Sequence, residues 1–251
     1  MSIPQKWQNR IGLWRSLAIY YGQPWKTGRM RGLYANVIQP GDLCFDIGAH
    51  VGNRLRVWEQ LGARVVGVEP QPHCMAFLQR WYGDHLPIDL VEAAVGATPG
   101  VQQLHISPAN PTVSTLSATW IESMQRDPSF AGVRWEETTA VTVTTLDALI
   151  ARFGLPAFCK IDVEGYEAEV LAGLSQPIAA LSFEYMVTTR TSALECIDKL
   201  ATLARYEYNW SIGESHRFQS TTWLDATAVV HWLNALPADA PSGDIYVRMI
   251  V

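Results

Sequence analysis

Residues Cys44-Phe45-Asp46-Ile47-Gly48-Ala49-His50-Val51-Gly52-Asn53 constrain the fold more than any other stretch of this 251-residue chain. A short apolar run ends at Asp46, two glycines follow four residues apart, and a helical pattern begins behind them. A second apolar run, from Arg64 to Val68, ends in Glu69-Pro70. A strand, a glycine turn, a helix and a second strand tipped with a carboxylate form one mononucleotide-binding half of an α/β sheet. The glycines let backbone approach a ligand closely, and the terminal acid accepts hydrogen bonds from both hydroxyls of a ribose.

The rest of the chain extends this pattern. Strands are predicted at 43–47, 64–69, 88–95 and 180–185, from Phe158 towards an exit at Gly165, and late at 206–212 and 244–251. Helices are predicted at 51–61, 72–82, 166–173, 192–204 and 223–236, with a short one starting at Leu146. Residues 11–37 read mostly as helix, interrupted at Pro24. Val101 to Ser107 and Ala140 to Thr145 alternate as extra strands around an irregular insert at 108–140. Such an insert in an α/β protein is expected over the ligand crevice as a lid or specificity loop, the alternative being a surface excursion with no role. The order fits a doubly wound, mostly parallel seven-stranded α/β sheet with an antiparallel late strand. One domain is expected over 1–251: an N-terminal helical extension, 1–40, and a core, 41–251.

Composition narrows the class. Hydrophobic residues make up 48% and charged residues 17% of the chain, which suits a packed core. No apolar run approaches the ~18 residues of a membrane span, and the first residues lack the apolar core of a signal peptide. Cys44, Cys74, Cys159 and Cys196 have no metal-ligand spacing and read as reduced core thiols, which points to a cytoplasmic location. The net charge is −5, yet Lys6, Arg10, Arg15, Lys26, Arg29 and Arg31 precede the first acid, Asp42. The first 41 residues therefore carry +6 and the remainder −11. The acidic remainder argues against a nucleic-acid partner. The basic start is interleaved with Trp7, Trp14, Tyr20, Tyr21, Trp25 and Tyr34, and suits either an anionic partner or a helix packing its aromatics on the domain.

In an open α/β sheet the ligand lies beyond the carboxyl ends of the strands. The predicted ends carry Asp46 and Gly48, Glu69, Glu92 to Ala94, Asp162 and Glu164, and Glu184. The glycine pattern is D-x-G-x-x-x-G, with no Walker lysine and no third glycine among Asn53 to Arg56. Asp46 before the glycines suits a ligand with a positive centre, and S-adenosylmethionine has an ammonium and a sulfonium; Glu69 then takes its ribose.

At these residues the chain resembles the FkbM family of S-adenosylmethionine-dependent methyltransferases. The resemblance spans about Pro40 to Tyr185 and rests on Phe45 to Gly52, Val68-Glu69-Pro70, Ala93 to Gly96, Thr145-Leu146-Asp147, Lys160 to Glu167, Leu171-Ala172-Gly173 and Phe183-Glu184. It implies a class I, Rossmann-like methyltransferase fold and O-methylation of a hydroxyl on a sugar, glycan or secondary metabolite. The cofactor-binding residues expected are Asp46, Gly48, His50, Gly52, Asn53, Glu69, Pro70 and Ala94. His50 stands where the family often has Asn.

Methyl transfer from a sulfonium is an in-line displacement, so alignment and proton removal are the tasks. The expected catalytic set is Asp162 as base or acceptor-orienting group, supported by Lys160 and Glu184, with Glu164 at the same rim. Lys160 and Asp162 are two apart and share one face of a strand, where an ion pair can be catalytic or structural. Asp162, Glu164 and Glu184 can also form an all-oxygen Mg²⁺ site, although the catechol-type metal motif is absent. His216 is an alternative base, and Trp120, Trp135, Trp210 and Trp223 are candidates to stack on an acceptor. Glu167 and Glu169 read as solvated helix residues. Competing readings are a nucleotide-dependent oxidoreductase on the same sheet and a non-catalytic cofactor-binding module. The acceptor is unassigned, and a homodimer is compatible with the sequence without being indicated by it.

Overall fold

The computed structural model describes residues 12–18, 21, 24–84 and 87–250. Expectations for Lys6, Trp7, Arg10 and Tyr20 lie outside the described residues. Residues 12–18 are helical, and Pro24 opens α1 (Pro24–Tyr34), so the predicted interruption is a helix start.

The first half runs β1 (Leu43–Ile47), α2 (Asn53–Gln60), β2 (Arg64–Val68), α3 (Pro72–Tyr82), β3 (Ile88–Val91). The chain continues through β4 (Ala94–Val95), β5 (Gly100–Ile106), α4 (Ala118–Met124), β6 (Glu137–Thr144) and α5 (Leu146–Phe153). The second half is β7 (Phe158–Ile161), α6 (Glu167–Ala172), β8 (Ala180–Tyr185), α7 (Arg190–Ala201), β9 (Tyr206–Ile212), α8 (Ala226–Ala235) and β10 (Gly243–Met249).

Seven strands form one sheet in the order β3-β2-β1-β7-β8-β10-β9. β3, β2, β1, β7 and β8 pair in parallel, whereas β10 lies antiparallel between β8 and β9. The chain order reverses between β1 and β7, which opens a crevice above the ends of those two strands. Successive side chains point to opposite faces, and the core divides accordingly. Phe45, Val66 and Phe183 pack with α5, α6, α7 and α8 on one face. Cys44, Val65 and Phe158 pack with Tyr34 of α1, Trp58 of α2 and Leu78 of α3 on the other. Tyr34, Trp58 and Phe158 meet edge to face, with ring centroids 5.2–5.7 Å apart.

Two expectations need correction. The predicted strand 88–95 is two strands: the chain leaves the large sheet after Val91, and β4 joins a separate three-stranded sheet in the order β4-β6-β5. The insert is also less irregular than predicted. Ser117 caps α4 by accepting from the Trp120 N–H, and Trp120 packs edge to face on Phe130 and Trp135.

Candidate active site

The turn between β1 and α2 is built from left-handed backbone: φ is +86° at Gly48, +49° at His50 and +76° at Gly52. Gly48 is required for a second reason. A Cβ there would lie 2.0 Å from the Asp162 carbonyl oxygen, so only glycine lets the β1 and β7 loops touch. The Gly48 and Ala49 N–H groups donate to the Val68 carbonyl, tying this turn to the end of β2.

Glu69 follows directly. Its Oε2 accepts the His50 N–H and its Oε1 the Gln71 N–H, each at 2.8 Å. Burial raises its pKa to about 7, although the Gln71 and His50 N–H groups favour the ionised form. Glu69 lines a cavity over β1 and β2. Gly48, His50 and Asn53 line it from the first loop, Glu69 and Pro70 from the second, and Ala94 from the third. Six of the eight expected cofactor residues are therefore gathered at one cavity. Asp46 and Gly52 lie behind it: Asp46 is fully buried in β1, and Gly52 is the residue preceding α2. The His50 ring is buried beside Cys74, Nδ1 to Sγ 3.5 Å, and burial lowers its pKa to about 3, so it is neutral.

The insert roofs this cavity. Thr112, Ser114 and Thr115 are in its wall. Gln71 donates from Nε2 to the Pro111 carbonyl and accepts at Oε1 from the Ser114 hydroxyl. The Thr115 hydroxyl donates to the Glu164 carbonyl at 2.7 Å. The roof is thus pinned to both rims.

Arg54, in the first turn of α2, organises the floor and was not singled out by sequence. Its Nε donates to Asp46 at 2.8 Å, one terminal nitrogen to Asp162 at 3.0 Å and the other to the Gly48 carbonyl at 3.0 Å. A cation in the first turn of a helix opposes the helix dipole, and that anomaly was the available signal that carboxylates compensate it. Burial pushes the Asp46 carboxyl up, with Arg54 acting against it.

Lys160 is 1% exposed and does not line the cavity over β1 and β2. Its ammonium donates to Asp244 at 2.7 Å and lies 3.6 Å from Asp162. Burial disfavours the charge, but Asp162 and Asp244 prevail and raise its pKa. Its ion pairs among the described residues are thus with the two carboxylates, Asp162 and Asp244. Asp162, flanked by Lys160 and Arg54, is held below the usual carboxylate range despite burial. Glu164 and Glu184 go the other way: burial and their acidic neighbours push both well up. Carboxylate oxygens of Asp162, Glu164 and Glu184 all lie within 4.8 Å of one another, so a cation fits among them. Glu164 sits at φ +55° in the turn leaving β7.

Three expectations about this region change. Glu167 is buried, not solvated: its Oε1 accepts the Val163 and Gly165 N–H groups, each at 3.2 Å, which shapes the β7 exit loop. The helix starts at Glu167, after the left-handed pair Glu164 and Gly165. The candidate stacking tryptophans have internal partners: Trp120 and Trp135 each other, Trp210 the ring of Trp232, and Trp223 the Arg248 guanidinium.

The methyltransferase FkbM domain model matches residues 46–235. This chain belongs to the FkbM methyltransferase family. It is a methyltransferase that uses S-adenosylmethionine, and a cavity lined by the buried Glu69 carboxylate and the glycine turn fits such a cofactor. No curated protein matches the chain. Among solved structures, precorrin-6Y C5,15-methyltransferase from Geobacter metallireducens is 14% identical, with TM-score 0.45, over 88% of this chain and 87% of that one. An O-methyltransferase from Bacillus cereus in complex with SAH is 10% identical, with TM-score 0.45, over 95% and 90%.

Proposed function

We propose that this FkbM-family methyltransferase moves the methyl group of S-adenosylmethionine to a hydroxyl of a small-molecule or glycan acceptor, in the cytoplasm. The carrying observation is that Asp162 and Glu164 line the cofactor cavity while Glu184 stands within 4.8 Å of both. Acids of opposite proton affinity meet where a methyl group would leave the cofactor. When bound, the cofactor supplies an electrophilic carbon on a sulfonium.

The residues then divide the work. Glu69 accepts the ribose hydroxyls, the Gly48–Asn53 turn and Ala94 shape the cofactor seat, and Asp46 acts indirectly by fixing Arg54. Asp162, held ionised by Arg54 and Lys160, accepts a hydrogen bond from the acceptor hydroxyl and aligns its lone pair. As the carbon–oxygen bond forms, the hydroxyl proton passes to Asp162, the one carboxylate of the three held ionised, while Glu164 and Glu184, whose proton affinity is raised, stay protonated and act as hydrogen-bond donors at the same rim. Positioning of this kind is worth ~7 kcal/mol or more. The four cysteines are free and buried, which supports a reducing compartment. No helix among the described residues is long and apolar enough to cross a membrane.

Calorimetric titration tests the cofactor half: S-adenosylmethionine and its demethylated product should bind, NAD(P) should not. Absence of uptake would remove this reading. Binding without product formation over a broad hydroxyl panel would favour a non-catalytic module.

A further inference from the structure

A groove of about 920 Å³ adjoins the cofactor cavity, in the size range of sites that take a drug-sized molecule. The roof segment divides the two spaces. Thr112, Ser114 and Thr115 line the cofactor cavity, whereas Val113 lines the groove. Trp135 fixes this partition by donating from Nε1 to the Val113 carbonyl at 2.7 Å. The two spaces meet at Glu164, which lines both. Glu184 lines the groove, and its carboxylate comes within 4.8 Å of Asp162 and Glu164. A molecule in the groove therefore reaches the Asp162 rim without entering the cofactor seat, so both ligands can be held at once.

The lining sets the kind of molecule. Away from that rim, Phe130, Met186 and Val187, with Pro128 and Pro241, give the groove an apolar wall. Val113, Phe130 and Met186 pack on the buried cluster of Trp120, Ile121 and Met124, yet each stays only partly covered. An apolar body laid along them is stabilised by about 25 cal/mol per Å² removed from water. The charged residues of the groove ask for no counter-charge. Asp127 already accepts the Ser129 N–H and hydroxyl, and Arg126 and Asp239 are opposite in sign, both exposed to solvent. Burial and acidic neighbours keep Glu164 and Glu184 protonated, so the meeting point offers neutral groups to a hydroxyl.

We propose that this groove seats the methyl acceptor and selects an uncharged alcohol carrying an apolar body, its hydroxyl at Asp162, Glu164 and Glu184 and its body along Phe130, Met186 and Val187. A free sugar would leave that wall bare. The assignment of acceptor rests on the methyltransferase reading of the adjoining cavity.

The test is calorimetric titration of methyl, butyl and hexyl β-D-glucoside, below micelle-forming concentrations, into the full chain with and without S-adenosylhomocysteine. Affinity should rise with tail length, by about tenfold from methyl to hexyl, in both states. Hexyl β-D-glucuronide and hexyl β-D-glucosaminide, which add a carboxylate or an ammonium, should each bind more weakly than hexyl glucoside. Thr188→Trp, which fills the groove from an exposed position, should abolish the gain with tail length while S-adenosylhomocysteine affinity stays within twofold. Met186→Gln should reduce the gain and covers the case in which Thr188→Trp does not fold. Affinity independent of tail length, preference for either charged analogue, a length effect that survives both substitutions, no binding, or mutual exclusion of hexyl glucoside and S-adenosylhomocysteine would overturn the proposal. Failure of the unsubstituted protein to take up S-adenosylhomocysteine, with the length effect intact and removed by Thr188→Trp, would instead remove the methyltransferase reading and leave the groove as an alcohol site.

Discussion

Glu69 is asked to be ionised for a ribose while sitting where burial favours the neutral acid. Its folded-state pKa of about 7 lies above the ordinary 4.5. The cofactor-free fold therefore binds this proton more tightly than the unfolded chain does. Its contribution is favourable at low pH, declines as pH rises from about 4.5 to 7, and is lost above that, a swing of about 3 kcal/mol. The Glu69→Gln protein should accordingly gain stability relative to the unsubstituted protein between pH 5 and pH 8, by several degrees in melting temperature. The same substitution should lower S-adenosylmethionine affinity and flatten its pH dependence, measured by titration. Asp162→Asn should behave differently. It leaves the ribose contacts intact, so cofactor affinity should change less than threefold while turnover falls by about 10²-fold or more, the scale of a lost positioning or proton-transfer group. A parallel collapse of both quantities would make Asp162 a structural anion only. Asp162 and Glu69 were legible in sequence because each ends an apolar run. Arg54 was signalled only as a cation at a helix start, since its partner Asp162 lies 108 residues on; Glu167 was missed although its partners Val163 and Gly165 are local, because the left-handed turn at Glu164 and Gly165 that brings their N–H groups towards it has no mark in helical periodicity.

At the scale of elements, the β1–α2 turn and the β7 exit form a single unit through the contact of Gly48 with Asp162. Gly48→Ala introduces both a left-handed alanine and a 2.0 Å approach to a carbonyl oxygen. A loss of about 2–4 kcal/mol of stability is expected, read as a lower denaturation midpoint, with cofactor uptake abolished. The roof is held more lightly. Gln71→Ala removes the side-chain bonds to Pro111 and Ser114 but not the backbone bond to Glu69. Cofactor dissociation should quicken several-fold and proteolysis near 108–116 should become faster, while the melting temperature moves by only a few degrees. The strands of the large sheet were readable because each is short, apolar and followed by turn or helix signals. The small sheet was not. β5 and β6 were each visible as alternating runs, but their pairing closes across the whole insert, and β4 is only two residues long. Nothing in a local window tells a strand which sheet it joins.

For the whole molecule, the distribution of charge decides whether a divalent ion is needed. Asp162, Glu164 and Glu184 approach within 4.8 Å, close enough for a shared cation. Yet Arg54 and Lys160 already place two fixed positive charges on Asp162, at 3.0 and 3.6 Å, and the sulfonium would bring a third. Burial first, and then the repulsion of acidic neighbours such as Asp162, makes Glu164 and Glu184 hold protons more tightly, the ordinary alternative to a metal for crowded carboxylates. A transfer that starts from a cation and ends in a neutral thioether also needs less added positive charge than one that builds an anion. Chelation should therefore leave S-adenosylmethionine affinity and the melting temperature of the cofactor-loaded protein unchanged. Millimolar Mg²⁺ should then add no stabilisation beyond that of monovalent salt at equal ionic strength. Saturable stabilisation by Mg²⁺, following RT ln(1 + [L]/Kd) and abolished in Glu184→Gln, would show instead that the three carboxylates close around a metal.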